Sequence, residues 1–278
     1  MEKKMPIINI QGTDFLVDID KLELREKANE NNKLVFEDWQ EKDNGYGFYY
    51  DTSLKNIPHD PVYRNDTTSY VIIPEFVVMA PVEMSKKYRV PLDEITKMSD
   101  FDVMVNQKAL DMRVNKGMLP TIDIEGHTFY VDIRMDKLRP KDDFLSNGIV
   151  FSEMENYFND NTETYIIPYN PQKKELAAID YETITEIPKN FVVVEIPSEL
   201  KMDPIGWNRL HGFDFLDDIK KSGLKMNFTA RPCKWEDIYV PQKIMENLGQ
   251  LDKSKKGNLQ DKPDQTTQNE QRRKGRKL

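Results

Sequence analysis

The residues able to do chemistry in this chain are a scattered set of aspartates, three histidines and one cysteine. Asp18, Asp20, Asp123, Asp132 and Asp136 are the first suspects, because gathered carboxylates hold divalent metals or divide acid and base roles. Asp18 matches Asp132 between two similar stretches, and Asn9 matches Asp123. On one hairpin, however, Asp123 lies opposite Thr128, and Asp132 is four residues further along that strand. At about 3.3 Å per residue the two are roughly 13 Å apart, too far for a shared metal. Neither hairpin makes a two-carboxylate site alone, so a metal-dependent nuclease would have to gather carboxylates from both stretches. The expectation is that these aspartates are the polar face of half-exposed strands.

Cys233, in Arg231-Pro-Cys-Lys-Trp235, has two cations nearby that would activate a thiolate, but a cysteine packed at a strand end explains it more simply. His59, His127 and His211 occupy unrelated positions, and His127 reads as a partly buried histidine beside a turn. Tyr46, Phe48, Tyr49 and Tyr50 would stack on bases, but Glu41, Asp43 and Asp51 flank them and repel phosphate. A core strand is the expected reading. The sequence has no phosphate-binding loop, dinucleotide fingerprint, nucleophile elbow or HExxH zinc motif. One cysteine excludes an internal disulfide framework and every CxxC zinc site. No catalytic residue, metal or cofactor is expected.

The elements that would position such residues come from a repeat. Residues 5–19 read MPIINIQGTDFLVDI and residues 119–133 read LPTIDIEGHTFYVDI, with eight of fifteen positions identical. The match continues through Asp20-Lys-Leu22 and Asp136-Lys-Leu138, Leu34-Val-Phe36 and Ile149-Val-Phe151, and Phe76-Val-Val78 and Phe191-Val-Val193. Leu110/Leu224 and Met112/Met226 close it. Each copy predicts a hairpin about Gln11-Gly12 or Glu125-Gly126, with Ile8, Ile10, Phe15, Val17 and Ile19 on one face. A third strand follows near 33–37 or 148–152. In the second copy, 165–169 and 175–179 form another hairpin, and a β-branched run follows at 76–80 or 191–196. Helical stretches at about 91–109 and 205–221 come next, with Pro91 and Pro204 at their starts. Leu210, Phe213, Leu216 and Ile219 form the apolar stripe of the second. Leu110, Met112, Val114 and Leu224, Met226, Phe228 predict closing strands. A short helix over 240–248, with Pro241 at its first turn and Gly249 after its end, completes the chain.

The 278 residues have 38% hydrophobic and 32% charged side chains and a formal net charge of -8, enough chain for two domains. Residues 252–278 hold nine Lys/Arg against four Asp/Glu, a balance of +5, which leaves the remaining body at -13. With two leucines as its only large apolar side chains, this tail is expected to be disordered. Arg272, Arg273, Lys274, Arg276 and Lys277 are the candidate nucleic-acid-binding residues, able to neutralise phosphates without reading sequence. No secretory or membrane-spanning segment is expected, since the apolar run Phe76–Val82 is far short of about 20 residues.

PTIDIEGHTFYVDI, with Leu138-Arg-Pro140, Ile187-Pro-Lys-Asn-Phe191, Met202-Asp-Pro-Ile205 and the ending QRRKGRKL, resembles uncharacterised accessory proteins of Bacteroidetes conjugative and mobilisable elements. The resemblance implies a cytoplasmic accessory protein and brings no activity or site residue.

The expected fold is therefore α+β: two tandem duplicated domains over 1–115 and 116–250, each mostly antiparallel β with a C-terminal helical segment, and a disordered basic tail over 251–278. The expected function is non-enzymatic binding of an unknown protein partner through duplicated domains, with weak nucleic-acid tethering by the tail. An acidic inhibitor that neutralises a basic protein such as a nuclease is the alternative, and a metal-dependent nuclease ranks below it.

Overall fold

The computed structural model describes residues 5–59, 65–143 and 145–260, with backbone alone over 254–260. The chain opens as expected. Strands β1 (Ile7–Ile10) and β2 (Thr13–Asp18) pair with Ile10 opposite Thr13 and Ile8 opposite Phe15. Gln11 and Gly12 have φ of 50° and 86°, and Glu125 and Gly126 have 52° and 80°. Two consecutive left-handed residues make the tight turn whose twist matches the strands it joins. Ile10, Phe15, Val17 and Ile19 are buried, as are Ile122, Ile124, Phe129, Val131 and Ile133 in the second hairpin.

Strands β3 (Glu23–Glu26) and β4 (Asn29–Val35) complete an antiparallel sheet in the order β1-β2-β3-β4. A second sheet has β6 (Gly45–Asp51) between β5 (Gln40–Lys42) and β7 (Thr68–Ile73). Short helices follow: α1 (Phe76–Met79), α2 (Pro81–Tyr88), α3 (Leu92–Ile95), α4 (Asp100–Met104) and α5 (Gln107–Leu110), the last running into a π-helical turn at Asp111–Asn115. Then come β8 (Thr121–Ile124), β9 (His127–Asp132), β10 (Lys137–Pro140), β11 (Ile149–Val150), β12 (Phe158–Asn159), β13 (Thr164–Asn170), β14 (Glu175–Leu176) and β15 (Val192–Pro197). The chain ends its described part with α6 (Glu199–Met202), α7 (Pro204–His211), α8 (Ile219–Ser222), β16 (Asn227–Thr229), β17 (Arg231–Cys233) and α9 (Val240–Gln260). The later sheets have the orders β11-β10-β9-β8-β16 and β12-β13-β15-β17, with β14 on β13.

Packing divides the chain into two units, and each is discontinuous. Unit 1 holds 1–123, 129–138 and 198–228; unit 2 holds 124–128, 139–197 and 229–278. The division at 115/116 rests on repetition in sequence, this one on packing, and the two do not coincide. In unit 1 the core is aromatic: Trp39 stacks on Phe48 and Phe76 at 5.7 and 5.5 Å, and Phe36 meets Tyr46 edge-on at 5.0 Å. Tyr46, Phe48 and Tyr50 of β6 are buried there, so three of the four clustered aromatics are core, as the strand reading required. In unit 2, β13 and β15 bury Tyr165, Ile167, Tyr169, Val193, Val194 and Ile196.

Several expectations are corrected. The α+β class with several antiparallel sheets is borne out, but helix and strand are nearly equal, at 31% and 32%, where the sequence predicts each domain to be mostly β. Phe76–Met79 is helical, although β-branched runs favour strand and the similar run at Val192–Pro197 forms one. The cause is Asp100, fully buried, whose carboxylate accepts the Phe76 and Val77 N–H groups at 2.7 and 2.8 Å and the Tyr46 hydroxyl. A remote carboxylate supplies the partners that the first helical turn lacks. Leu110, Met112 and Val114 lie in helical turns and not in a strand; of the predicted closing pair only the strand at 227–229 forms among the described residues. Gly249 does not end a helix, since α9 continues to Gln260. Arg272, Arg273, Lys274, Arg276 and Lys277 lie outside the described residues.

Candidate functional site

The site with the most convergent chemistry lies within unit 1. The turn after Val35 and strand β5 bring Trp39 and Glu41 to one wall of a cavity of about 580 Å³; α6, α7 and α8 supply the rest. That volume suits a side-chain-sized ligand or a short peptide segment. Trp39 is held rigidly by the aromatic core and is 1% exposed, yet its indole N–H has no partner among the described residues. Glu41 Oε2 pairs with Lys220 at 3.0 Å, while Glu41 Oε1 is buried without a partner among the described residues. Burial pushes the Glu41 carboxyl above its usual range, against the pull of Lys220. Lys220 also sits 5.0 Å over the Tyr46 ring, which ties this wall to the Asp100 cluster. Burial likewise raises the Asp100 carboxyl, with Tyr46 and the two backbone donors pulling it down. A buried donor and a buried acceptor left without partners each cost about 1–3 kcal/mol.

The opposite side is aromatic and exposed. Trp207 stacks on His211 at 4.0 Å and on Phe213 at 5.8 Å, with only 9° between the Trp207 and Phe213 planes. Phe213 is 55% exposed because Gly212, at φ 77°, ends α7 and turns the chain outward. This corrects the expected apolar stripe: Leu210 and Phe213 face solvent, and only Ile219 is fully buried. The rim carries Glu37, Asp38, Asp217 and Asp218, with Lys221 as its one cation among the described residues. Lys221 is already held by Asp218 at 2.8 Å and by the Glu37 carbonyl at 2.9 Å. The cavity is therefore acidic and aromatic-walled.

The residues first suspected from sequence are placed elsewhere. Asp18 is 8% exposed, not half-exposed: it pairs with Arg25 at 2.8 Å and accepts the Asp20 and Lys21 N–H groups. Asp132 is equally buried, and Asp20 and Asp136 are exposed at turns. Asp123 is partly exposed on β8. Among the described residues no group of three or more His, Cys, Asp or Glu is placed to hold a metal ion. Cys233 is half-buried opposite Val193, and burial pushes its thiol up, away from nucleophilic use. His127 accepts from or donates to the Tyr169 hydroxyl at 3.1 Å beside its turn, and His59 is exposed.

No family model, curated protein or solved structure matched the chain. Among the described residues no helix is long and apolar enough to cross a membrane. Sequence reasoning missed Trp39, Glu41 and Trp207. The one available signal was Trp207 three residues after Pro204, which starts a helix and puts the indole on its first turns.

Proposed function

We propose that this is a non-enzymatic binding protein whose unit 1 cavity receives an arginine- or lysine-bearing segment of a protein partner. The observation that carries the reading is the acidic rim of Glu37, Asp38, Asp217 and Asp218 beside the stacked Trp207 and exposed Phe213. A guanidinium donates to the rim carboxylates while lying against Trp207 or Phe213. The acidic body, at -13 outside the tail, supplies long-range attraction for such a partner. This reading joins binding through the folded domains to neutralisation of a basic partner.

Duplication remains part of the proposal, and local element order supports it with a shifted match. In that match Pro81, not Pro91, corresponds to Pro204, and Phe76-Val-Val78 does not correspond to Phe191-Val-Val193. Ile73-Pro74 and Ile196-Pro197 each end a strand, and each is followed by a four-residue helix. An eight-residue helix with Pro81 or Pro204 at its start comes next, closed by left-handed Arg89 or Gly212. Leu92-Asp-Glu-Ile95 and Leu216-Asp-Asp-Ile219 then follow, with one more residue before the second. A cytoplasmic role as an accessory protein of a mobile element, with the basic residues 272–277 as a nucleic-acid tether, completes the proposal on the strength of the sequence.

The test is calorimetric titration of the full-length protein with a nine-residue alternating Arg-Gly peptide and with its Glu-Gly counterpart. The Arg-Gly peptide is expected to bind and to weaken between about 50 and 200 mM salt, as exposed charges demand. Equal binding of both peptides, or of neither, overturns the reading.

A further inference from the structure

Unit 2 has its own cavity of about 750 Å³, lined by residues other than those of the unit 1 cavity. We propose that it is a receptor for a basic peptide and that its occupant is this chain's own C-terminal segment, residues 271–278. The segment then competes with any outside basic ligand. The inference does not depend on the reading of the unit 1 cavity.

Three observations carry it. The first is charge. Glu153, Asp160 and Asp237 line the cavity, and no lysine or arginine among the described residues does. The cavity lies at the start of α9, whose N-terminus carries about half a positive charge, so the three carboxylates still set the sign. Residues 271–278, QRRKGRKL, hold five cations and no acid.

The second is the kind of surface. Phe158 and Tyr239 are 39% and 51% exposed at the cavity, and the Tyr157 and Tyr181 hydroxyls meet at 2.8 Å in its wall. Burial, then the Tyr181 hydroxyl, raises the Tyr157 phenol well above its usual range, so it stays neutral. Exposed aromatic faces beside carboxylates suit guanidinium groups, which stack on the rings while donating in-plane to the acids. Lysine alone would use the charge and waste the rings.

The third is reach. Tyr239 lines the cavity and directly precedes α9, and Asn247 anchors that helix by donating to the Tyr181 and Ile184 carbonyls at 3.0 and 2.8 Å. The 21 residues of α9 carry the chain about 32 Å away from the cavity. Arg272 is the twelfth residue beyond Gln260. Twelve extended residues span about 40 Å, which is enough to return and little more. A tether of this length holds the segment at an effective concentration in the millimolar range. Against an intrinsic affinity of about 0.1 mM, that weakens an outside basic peptide roughly tenfold.

The experiment is titration of a labelled QRRKGRKL peptide into full-length protein, read by calorimetric stoichiometry and by the amide resonances of Phe158 and Tyr239. Three further full-length proteins are compared: the five-alanine variant at Arg272, Arg273, Lys274, Arg276 and Lys277; the same variant carrying E153Q, D160N and D237N; and the same variant carrying W207A. Removing the tail charges is expected to tighten binding at Phe158 and Tyr239 about tenfold. The added acid substitutions are expected to abolish that binding, and W207A to leave it unchanged. Equal affinity of wild type and five-alanine variant at these resonances overturns the proposal. So does binding that survives loss of the three acids, or that disappears with W207A, since the receptor would then lie in unit 1. Failure of the unit 1 reading shows separately, as a missing second equivalent of peptide in the five-alanine variant.

Discussion

Asp100→Ala tests how a carboxylate makes a helix out of a strand-like run. Asp100 is fully buried and accepts from the Phe76 and Val77 N–H groups and from the Tyr46 hydroxyl. Truncation leaves three buried donors without partners, each costing about 1–3 kcal/mol. Part of this is returned, because a buried carboxylate is itself costly, as its raised pKa records. The expected loss is about 3–5 kcal/mol. Asp100→Asn keeps one oxygen to accept but sets an amide N–H₂ against a backbone donor, for about 1–3 kcal/mol. Tyr46→Phe removes one donor and leaves both backbone bonds, for about 1 kcal/mol. Urea unfolding followed by tryptophan fluorescence measures the series, since Trp39 and Trp207 both report on unit 1. A double cycle of Asp100→Ala with Tyr46→Phe should show coupling, because the pair shares one bond. A loss below about 1 kcal/mol for Asp100→Ala, or equal losses for Ala and Asn, would refute the capping argument.

Asp51 and Asp100 should respond to acid with opposite signs. The Ser53 hydroxyl, with Thr67 and Asn65, holds the Asp51 carboxyl well below its usual range despite burial. Its contribution is therefore complete above about pH 3.9 and is lost as pH falls through the lowered value. The gap between wild type and Asp51→Asn should close on acidification. Asp100 is raised, so its proton favours the folded state, and wild type should gain on Asp100→Asn as pH falls from the raised value toward about 3.9. Unfolding midpoints of the three proteins across about pH 3–6 check both signs. Gly206→Ala should destabilise unit 1 by about 2–4 kcal/mol in the same urea assay, because a Cβ there collides with Asp203 Oδ2. That oxygen is locked in the buried bidentate pair with Arg113, at 2.9 and 2.8 Å, whose rupture strands two charges. A loss under about 0.5 kcal/mol, the size of a surface effect, would contradict it. The five-alanine tail variant should lose nucleic-acid binding in mobility shifts at about 50 mM salt, and unchanged binding would remove the tail from that role.

Much of the local fold was legible because it is decided locally. Gln11-Gly12 and Glu125-Gly126 announce hairpin turns, and the alternation of Ile10, Phe15 and Val17 sets the buried face. Pro204 starts a helix where proline at the first turn costs nothing, and Pro91 directly precedes α3. What was not legible depends on distant partners. Phe76-Val-Val-Met79 reads as strand until Asp100 arrives 24 residues later to pair its free N–H groups. The stripe counted through Leu210 and Phe213 fails because Gly212 breaks the helix between them, which exposes the very ring that lines the site. Asp18 and Asp132 alternate like polar strand residues, yet tertiary packing buries both. The site itself joins Glu41 to Trp207 across 166 positions, with no motif to connect them.

The most direct measurement follows the side-chain indole N–H resonances of Trp39, Trp207 and Trp235, the three tryptophans of the full-length protein, as the Arg-Gly peptide is added. Trp39 carries the orphaned donor and Trp207 the stacking face, while Trp235 belongs to unit 2. The account predicts saturable shifts of Trp39 and Trp207 with one affinity, while any shift of Trp235 reports the separate unit 2 cavity. Peptide binding that leaves the Trp39 and Trp207 resonances where they were would contradict it.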